Sequence, residues 1–319
     1  MSVDRVSTAQ TTAYFLNQID QASAALDKTN QQIASGKTSN TYAGFGDQTQ
    51  VLTATISAQA RNDSYSAATS MATTQADLQN TQLSSLSDLA TQLKTAFENS
   101  LANNNPSTLM SQVQNIFDQA TAVLNSKDAN GDYIYSGGKT NTPPVTVSTL
   151  ADLVGLPSVS GAFSNGDYKK AVQVADGQTV TYGMTASDVA TGLMQSLKDI
   201  ATFDSGGTGN FSGSTNLTQA QNTFLSGELP SLATVGVNLN NVTAQNGFAY
   251  NQLQNATTQQ GTLSTLYTGF VSNLQDTNMA DAATQLSLNQ TALQAALQVT
   301  SHLNQLTLLN YLPASTVAG

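Results

Sequence analysis

The chain has 319 residues, enough for one or two domains with a buried core. Only 9% of them are charged, where soluble proteins usually carry about 25%. The formal net charge is -10, and the 10 Lys and Arg residues form no basic cluster, which excludes nucleic acid as a partner. The absence of cysteine removes disulfides, thiolate metal sites and cysteine nucleophiles.

The opening stretch MSVDRVSTAQTTAYFLNQID lacks the apolar core of a secretory signal peptide, so an exported chain needs another route. No continuous apolar run is long enough to span a membrane, and no membrane partner is expected. Phe15, Ile19, Ala22, Leu26 and Ile33 recur at three-and-four spacing, which predicts a helix over 5–35, with Gly36 as its stop. SNTYAGFGD, with Gly44 and Gly46, reads as a connector.

A second amphipathic run starts at Leu52 and Ile56 and continues through Met71, Leu78, Leu86, Ala90, Leu93 and Phe97 until NNNP interrupts it at 103–106. At about 1.5 Å per residue such a helix reaches roughly 80 Å, the dimension of a rod. A third helical segment follows through Leu109, Val113, Ile116, Ala120 and Leu124. Asp128, Asn130 and Asp132 have the opening spacing of a calcium loop, but Tyr133 stands at the turn glycine and Lys139 at the bidentate glutamate. The stretch therefore reads as an Asn-Gly turn.

Residues 133–215 change texture. YIYSGGKTNTPPV is punctuated by Gly and Pro, and AVQVADGQTVTYGM alternates apolar and polar residues around Asp176-Gly177, a hairpin signal. A small β-rich insertion is expected here, with SGGTGNFSGSTN at 205–216 as its flexible return. That glycine-rich return lacks the lysine of a phosphate-binding loop.

Beyond it lies the clearest repeat of the chain. Leu232, Leu239, Asn246, Leu253, Gln260, Tyr267 and Leu274 fall every seven residues, with Val235, Val242, Ala249, Ala256, Leu263 and Phe270 at the companion position. After Asp276 a last stripe begins at Met279, Ala283, Leu286, Leu293 and Leu297 and runs on through Val299, Leu303, Leu306, Leu309 and Leu312. His302 is the only histidine, and no second ligand converges with it. No catalytic, cofactor or metal constellation is visible, and an enzyme is not expected.

The expected fold is mainly α: an elongated coiled-coil helical rod formed by the N- and C-terminal segments, with a small β-rich insertion domain. Terminal assembly helices would cover 1–40 and 277–319, helical rod segments 41–132 and 216–276, and the insertion 133–215. Leucine stripes at both extremities need a partner, and each fully buried leucine contributes about 1.5–3 kcal/mol before ordering costs. Self-association through Leu16, Ile19, Leu26 and Ile33 with Leu286, Leu293, Leu297, Leu303, Leu306, Leu309 and Leu312 is the expected use of that surface.

Several stretches carry a family likeness. RVSTAQ at 5–10, QQIASGKTSN at 31–40, GDYIYSGGKTNTPPV at 131–145 and DTNMADAATQLSLNQTALQAALQVTSHLNQLTLLNYL at 276–312 resemble segments of bacterial flagellins and their relative, hook-associated protein 3. The YSGGKTNTPPV segment is similar to the hook-associated type, which the resemblance places at the hook-filament junction; a filament flagellin is the alternative. TYAGFGDQ departs from the Asp- and Ala-rich stretch usual in filament flagellins, and PASTVAG extends past the usual end.

The resemblance implies a structural subunit, extracellular in the flagellum, whose terminal helices pair inside a helical polymer or ring while the insertion faces solvent. It implies as partners other copies, neighbouring hook-associated proteins or flagellin, an export chaperone and the flagellar type III secretion system. A surface adhesin or carbohydrate-binding protein, using residues 140–215 with Tyr168 and Tyr182, is the reading from a different class.

Overall fold

Gly36, at φ +68°, ends the first helix where the sequence places its stop. The structure is a computed structural model that describes the backbone of residues 3–309 and the side chains of residues 10–302. It is mainly α, with long helices and one two-stranded sheet. Two compact units form, residues 1–60 with 264–319 and residues 61–263.

The first unit is built around α1 (Val3–Ser35) and α7 (Met279–Leu309), which pack against each other in opposite directions. Between them the chain turns through short backbone ties: Thr38 N–H donates to Gln275 carbonyl at 2.8 Å and Thr277 N–H to Gly36 carbonyl at 2.9 Å. Asn278 caps α7 by accepting from the Ala280 N–H at 3.1 Å, and Asp281 in the first turn adds a favourable charge at that end. Helix α2 (Thr49–Asn103) and helix α6 (Gln219–Gln275) contribute their residues 49–60 and 264–275 to this unit. There the heptad residues Tyr267 and Leu274 are half-buried, while Phe270 is exposed.

In the second unit the heptad of α6 is the inner seam. Leu232, Leu239, Asn246, Leu253 and Gln260 are all buried. Facing them, α2 buries its own seven-residue series, Asn62, Thr69, Ala76, Leu83, Ala90 and Phe97. Polar seam residues are satisfied across the pair: Asn62 Nδ2 donates to the Gln260 carbonyl at 2.9 Å and Asn246 Nδ2 to the Ala76 carbonyl at 2.8 Å. A buried amide that must find one particular carbonyl disfavours shifted registers, because a slip would strand it.

Helix α3 (Leu109–Leu124) follows the turn at Asn104, the single described non-glycine residue with positive φ, at +49°. The segment after it is fastened to its end: Asn125 donates to the Val145 carbonyl at 3.0 Å and accepts from its N–H at 2.9 Å. Gly137 in the YSGG motif has φ +58°, and a Cβ there would lie 2.0 Å from the Gly166 carbonyl oxygen. The motif glycine is thus required twice, by conformation and by space.

Residues 133–215 hold the expected hairpin, β1 (Ala171–Ala175) and β2 (Gln178–Thr181), antiparallel around Asp176-Gly177. They also hold α4 (Leu150–Gly155) and the twenty-residue α5 (Ala186–Ser205), each opened by a capping box, Thr149 with Asp152 and Thr185 with Asp188. Helix α5 shares one core with α2, α3 and α6. The hairpin, instead of standing free in solvent, lays Val174 and Val180 on Ala72, Ala76, Ala249 and Leu253. The return at 205–216 is also anchored. Phe211 is buried beside Phe203, which stacks on Phe224 at 4.1 Å, and Gln221 Nε2 donates to the Gly209 and Asn210 carbonyls.

Candidate functional site

The pair α1–α7 brings together the two stripes that the sequence marks for assembly. Ile19, Leu26, Ile33, Leu286 and Leu293 are half-buried, whereas Leu16 and Leu297 remain 52% and 50% exposed. Leu303, Leu306 and Leu309 fall within α7, but their side chains lie outside the described residues, as does Leu312 altogether.

The residues most deeply buried in this pair are Thr29, Ala282 and Asn289, which the leucine pattern misses. Asn289 Nδ2 donates to Thr29 Oγ1 at 3.0 Å and to the Ala25 carbonyl at 3.2 Å. Gln285 Nε2 donates in turn to Asn289 Oδ1 at 3.0 Å. The available signal was spacing: Ala282, Asn289 and Ala296 are seven apart, a small-residue series beside the leucines.

Helix α7 is apolar on more than the side that meets α1. Leu286 and Leu297 are eleven residues apart, close to three full turns, and so share a face. Leu288 and Val299 share another by the same spacing, and both are exposed, Leu288 at 59%. Helix α1 covers one of these faces.

Asp20 and Asp27 on α1 and Asp281 on α7 are exposed side chains, and His302 is exposed on α7. In the second unit, Asp128 Oδ1 accepts from the N–H groups of Asn130 and Asp132 at 2.9 and 3.1 Å, closing the Asn-Gly turn with Gly131 at φ +85°. Tyr168 is exposed and lies against Gly138, and Tyr182 is half-buried, its hydroxyl pushed up by burial and by Tyr168 and Asp128. No group of three or more His, Cys, Asp or Glu able to hold a metal occurs among the described residues. No described helix is long and apolar enough to cross a membrane.

Known proteins match this arrangement. The model of the bacterial flagellin C-terminal helical region matches residues 233–312, which take in most of α6 and all of α7. Flagellar hook-associated protein 3 of Salmonella typhimurium strain LT2 is 26% identical over 192 residues, 58% of this chain and 56% of that protein. The match thus spans little more than half the length of the curated relative. Among solved structures, a Vibrio parahaemolyticus protein described as a flagellar hook-associated protein superposes with TM-score 0.58 at 17% identity, over 72% of this chain and 97% of that one. Xanthomonas campestris FlgL superposes with TM-score 0.55 at 11% identity, over 68% and 99%. The chain therefore has the fold of flagellar hook-associated proteins, and its residues 233–312 are similar to the bacterial flagellin C-terminal helical region.

Proposed function

We propose that this chain is a structural subunit of the bacterial flagellum, of the hook-associated protein 3 type, that self-assembles through α1 and α7 at the hook-filament junction. The observation that carries this reading is the uncovered apolar surface of α7: Leu288, Leu297 and Val299 stay exposed although α1 is already packed against the helix. Neighbouring copies, and adjoining hook-associated proteins or flagellin, are the surfaces that would cover them. The role of these residues is packing, not catalysis. The reading includes an extracellular location in the flagellum and export by the flagellar type III system with a chaperone on α7.

The match of residues 233–312 to a flagellin region keeps a filament subunit as the second reading. Electron microscopy of cells lacking this protein separates the two. Loss of filaments with hooks retained supports the junction subunit; shorter or thinner filaments support the filament subunit; unaltered flagella overturn both.

A further inference from the structure

Six buried side-chain polar atoms with no partner in the protein gather on α2 and α6 of the second unit. They are Gln75 Nε2, both amide atoms of Gln79, Gln82 Oε1, Asn246 Oδ1 and Gln260 Oε1. Gln75, Gln79 and Gln82 share one face of α2 through their four-and-three spacing. Gln79 is fully buried.

The other ends of these amides hold the hairpin and its surroundings. Gln75 Oε1 accepts from Lys170 Nζ, just before β1, at 3.3 Å. Gln82 Nε2 donates to Ser126 Oγ at 2.7 Å. Gln260 Nε2 donates to both Thr69 Oγ1 on α2, at 3.0 Å, and the Val174 carbonyl on β1, at 2.7 Å. One glutamine therefore fastens the hairpin to the helix pair.

The hairpin's other polar ties are at its turn, where Tyr65 Oη on α2 donates to Asp176 Oδ1 at 2.6 Å and accepts from Gln173 Nε2 at 3.4 Å, and at its root, where Lys170 pairs with Asp128 at 3.8 Å. Its apolar footing is a small cluster, its own Val174 and Val180 on Ala72, Ala76, Ala249 and Leu253 with Val172, Tyr182, Tyr250 and Ala256 partly buried around them, separate from the large core that unites α2, α3, α5 and α6. A two-stranded hairpin is marginal without such support. Each of these amide ends is buried without a partner in the protein, which is costly, so exposing the seam is partly compensated. Small apolar contact area and costly buried polar atoms are the properties of a segment that opens by itself.

We propose that the β1–β2 hairpin is a strap that opens from the α2–α6 pair while the main core stays folded, with Gln260 and Tyr65 as its fastenings and the α2 glutamines lowering the cost of opening. The inference stands apart from the proposed function. It concerns the unassembled chain and involves neither α1 nor α7.

The cysteine-free sequence allows a direct test. Ala72→Cys places a thiol beneath the hairpin, and Ala190→Cys places one in the main core on α5. Thiol labelling of the full chain under native conditions should be at least tenfold faster at position 72 than at position 190. Gln260→Leu should accelerate the reaction at 72 by a further tenfold without changing that at 190, and Gln79→Leu should slow it. Should Ala72→Cys fail to fold, Ala249→Cys reports on the same cluster. Equal labelling at the hairpin and core positions, or a Gln260→Leu effect equal at both, would mean that the hairpin leaves only with global unfolding and would overturn the proposal.

Discussion

Asn289 on α7 donates its side-chain amide to Thr29 Oγ1 on α1 at 3.0 Å and to the Ala25 carbonyl at 3.2 Å, and both Asn289 and Thr29 are buried. This polar key fixes how far α7 is advanced along α1. Asn289→Ala removes it at a cost of about 1–2 kcal/mol, since Thr29 keeps its own bond to the Ala25 carbonyl and is not left unpaired. Circular dichroism during urea titration should show the loss of α1–α7 stability. Asn289→Leu should restore stability while broadening register, visible as faster amide exchange along α1.

Phe211 anchors a Gly- and Ser-rich return through burial beside Phe203. Phe211→Ala should destabilise the second unit by about 3–5 kcal/mol. It should also open residues 205–216 to limited proteolysis, detected by mass spectrometry of the fragments. An unchanged cleavage pattern would show that the backbone ties from Gln221 suffice to hold the loop.

Gly137→Ala tests the YSGG motif. Its φ of +58° and the 2.0 Å approach to Gly166 leave no room for a methyl group. The left-handed conformation alone costs about 1–2 kcal/mol for a non-glycine residue, and the collision adds to it. A melting temperature within a degree or two of the parent would contradict this account of the motif.

Two carboxylates set opposite pH dependences. Partial burial pushes Asp188 up, but hydrogen bonds from Lys169 and Thr185 and the Lys169 charge outweigh it and hold the carboxyl below its usual value. Its contribution is present above the unfolded value of about 3.9 and is lost as pH falls through the lower native one. Glu228 is raised, first by burial and then by Asp199. Its ionised form therefore costs stability above its native pKa, and the cost disappears below the unfolded value of about 4.3. Glu228→Gln should raise the melting temperature near pH 7 and lose that advantage at about pH 3, as measured by calorimetry across that range.

The sequence made the ends of α1 and α2 legible because Gly36 and the NNNP turn interrupt long periodic runs. It made the α6 seam legible because leucines mark its heptad. The matching series on α2 is equally regular but is filled at several places by Asn62, Thr69 and Ala76, residues whose burial depends on a partner helix far away in sequence. Helix α5 was hidden inside a Gly- and Pro-punctuated region, although Val189, Leu193, Leu197 and Ile200 carry its stripe behind the Thr185–Asp188 cap. The docking of the hairpin on Ala72 and Ala76 left no hydrophobic signal, since alanine is small enough to serve on any helix face. At the candidate site the leucines were visible for the same reason as the α6 seam, and Asn289 with Thr29 was not, because a polar residue in a heptad looks solvent-facing until its acceptor is known.

The uncovered faces of α7 are tested most directly by changing them without touching α1. Leu288→Ser together with Val299→Ser alters two exposed side chains of one face and leaves the Asn289–Thr29 key in place. Sedimentation velocity and electron microscopy should then find the parent chain forming polymers or rings at high concentration, and the double variant remaining monomeric with the same helical content. Assembly of the double variant at the parent's concentration would contradict the account.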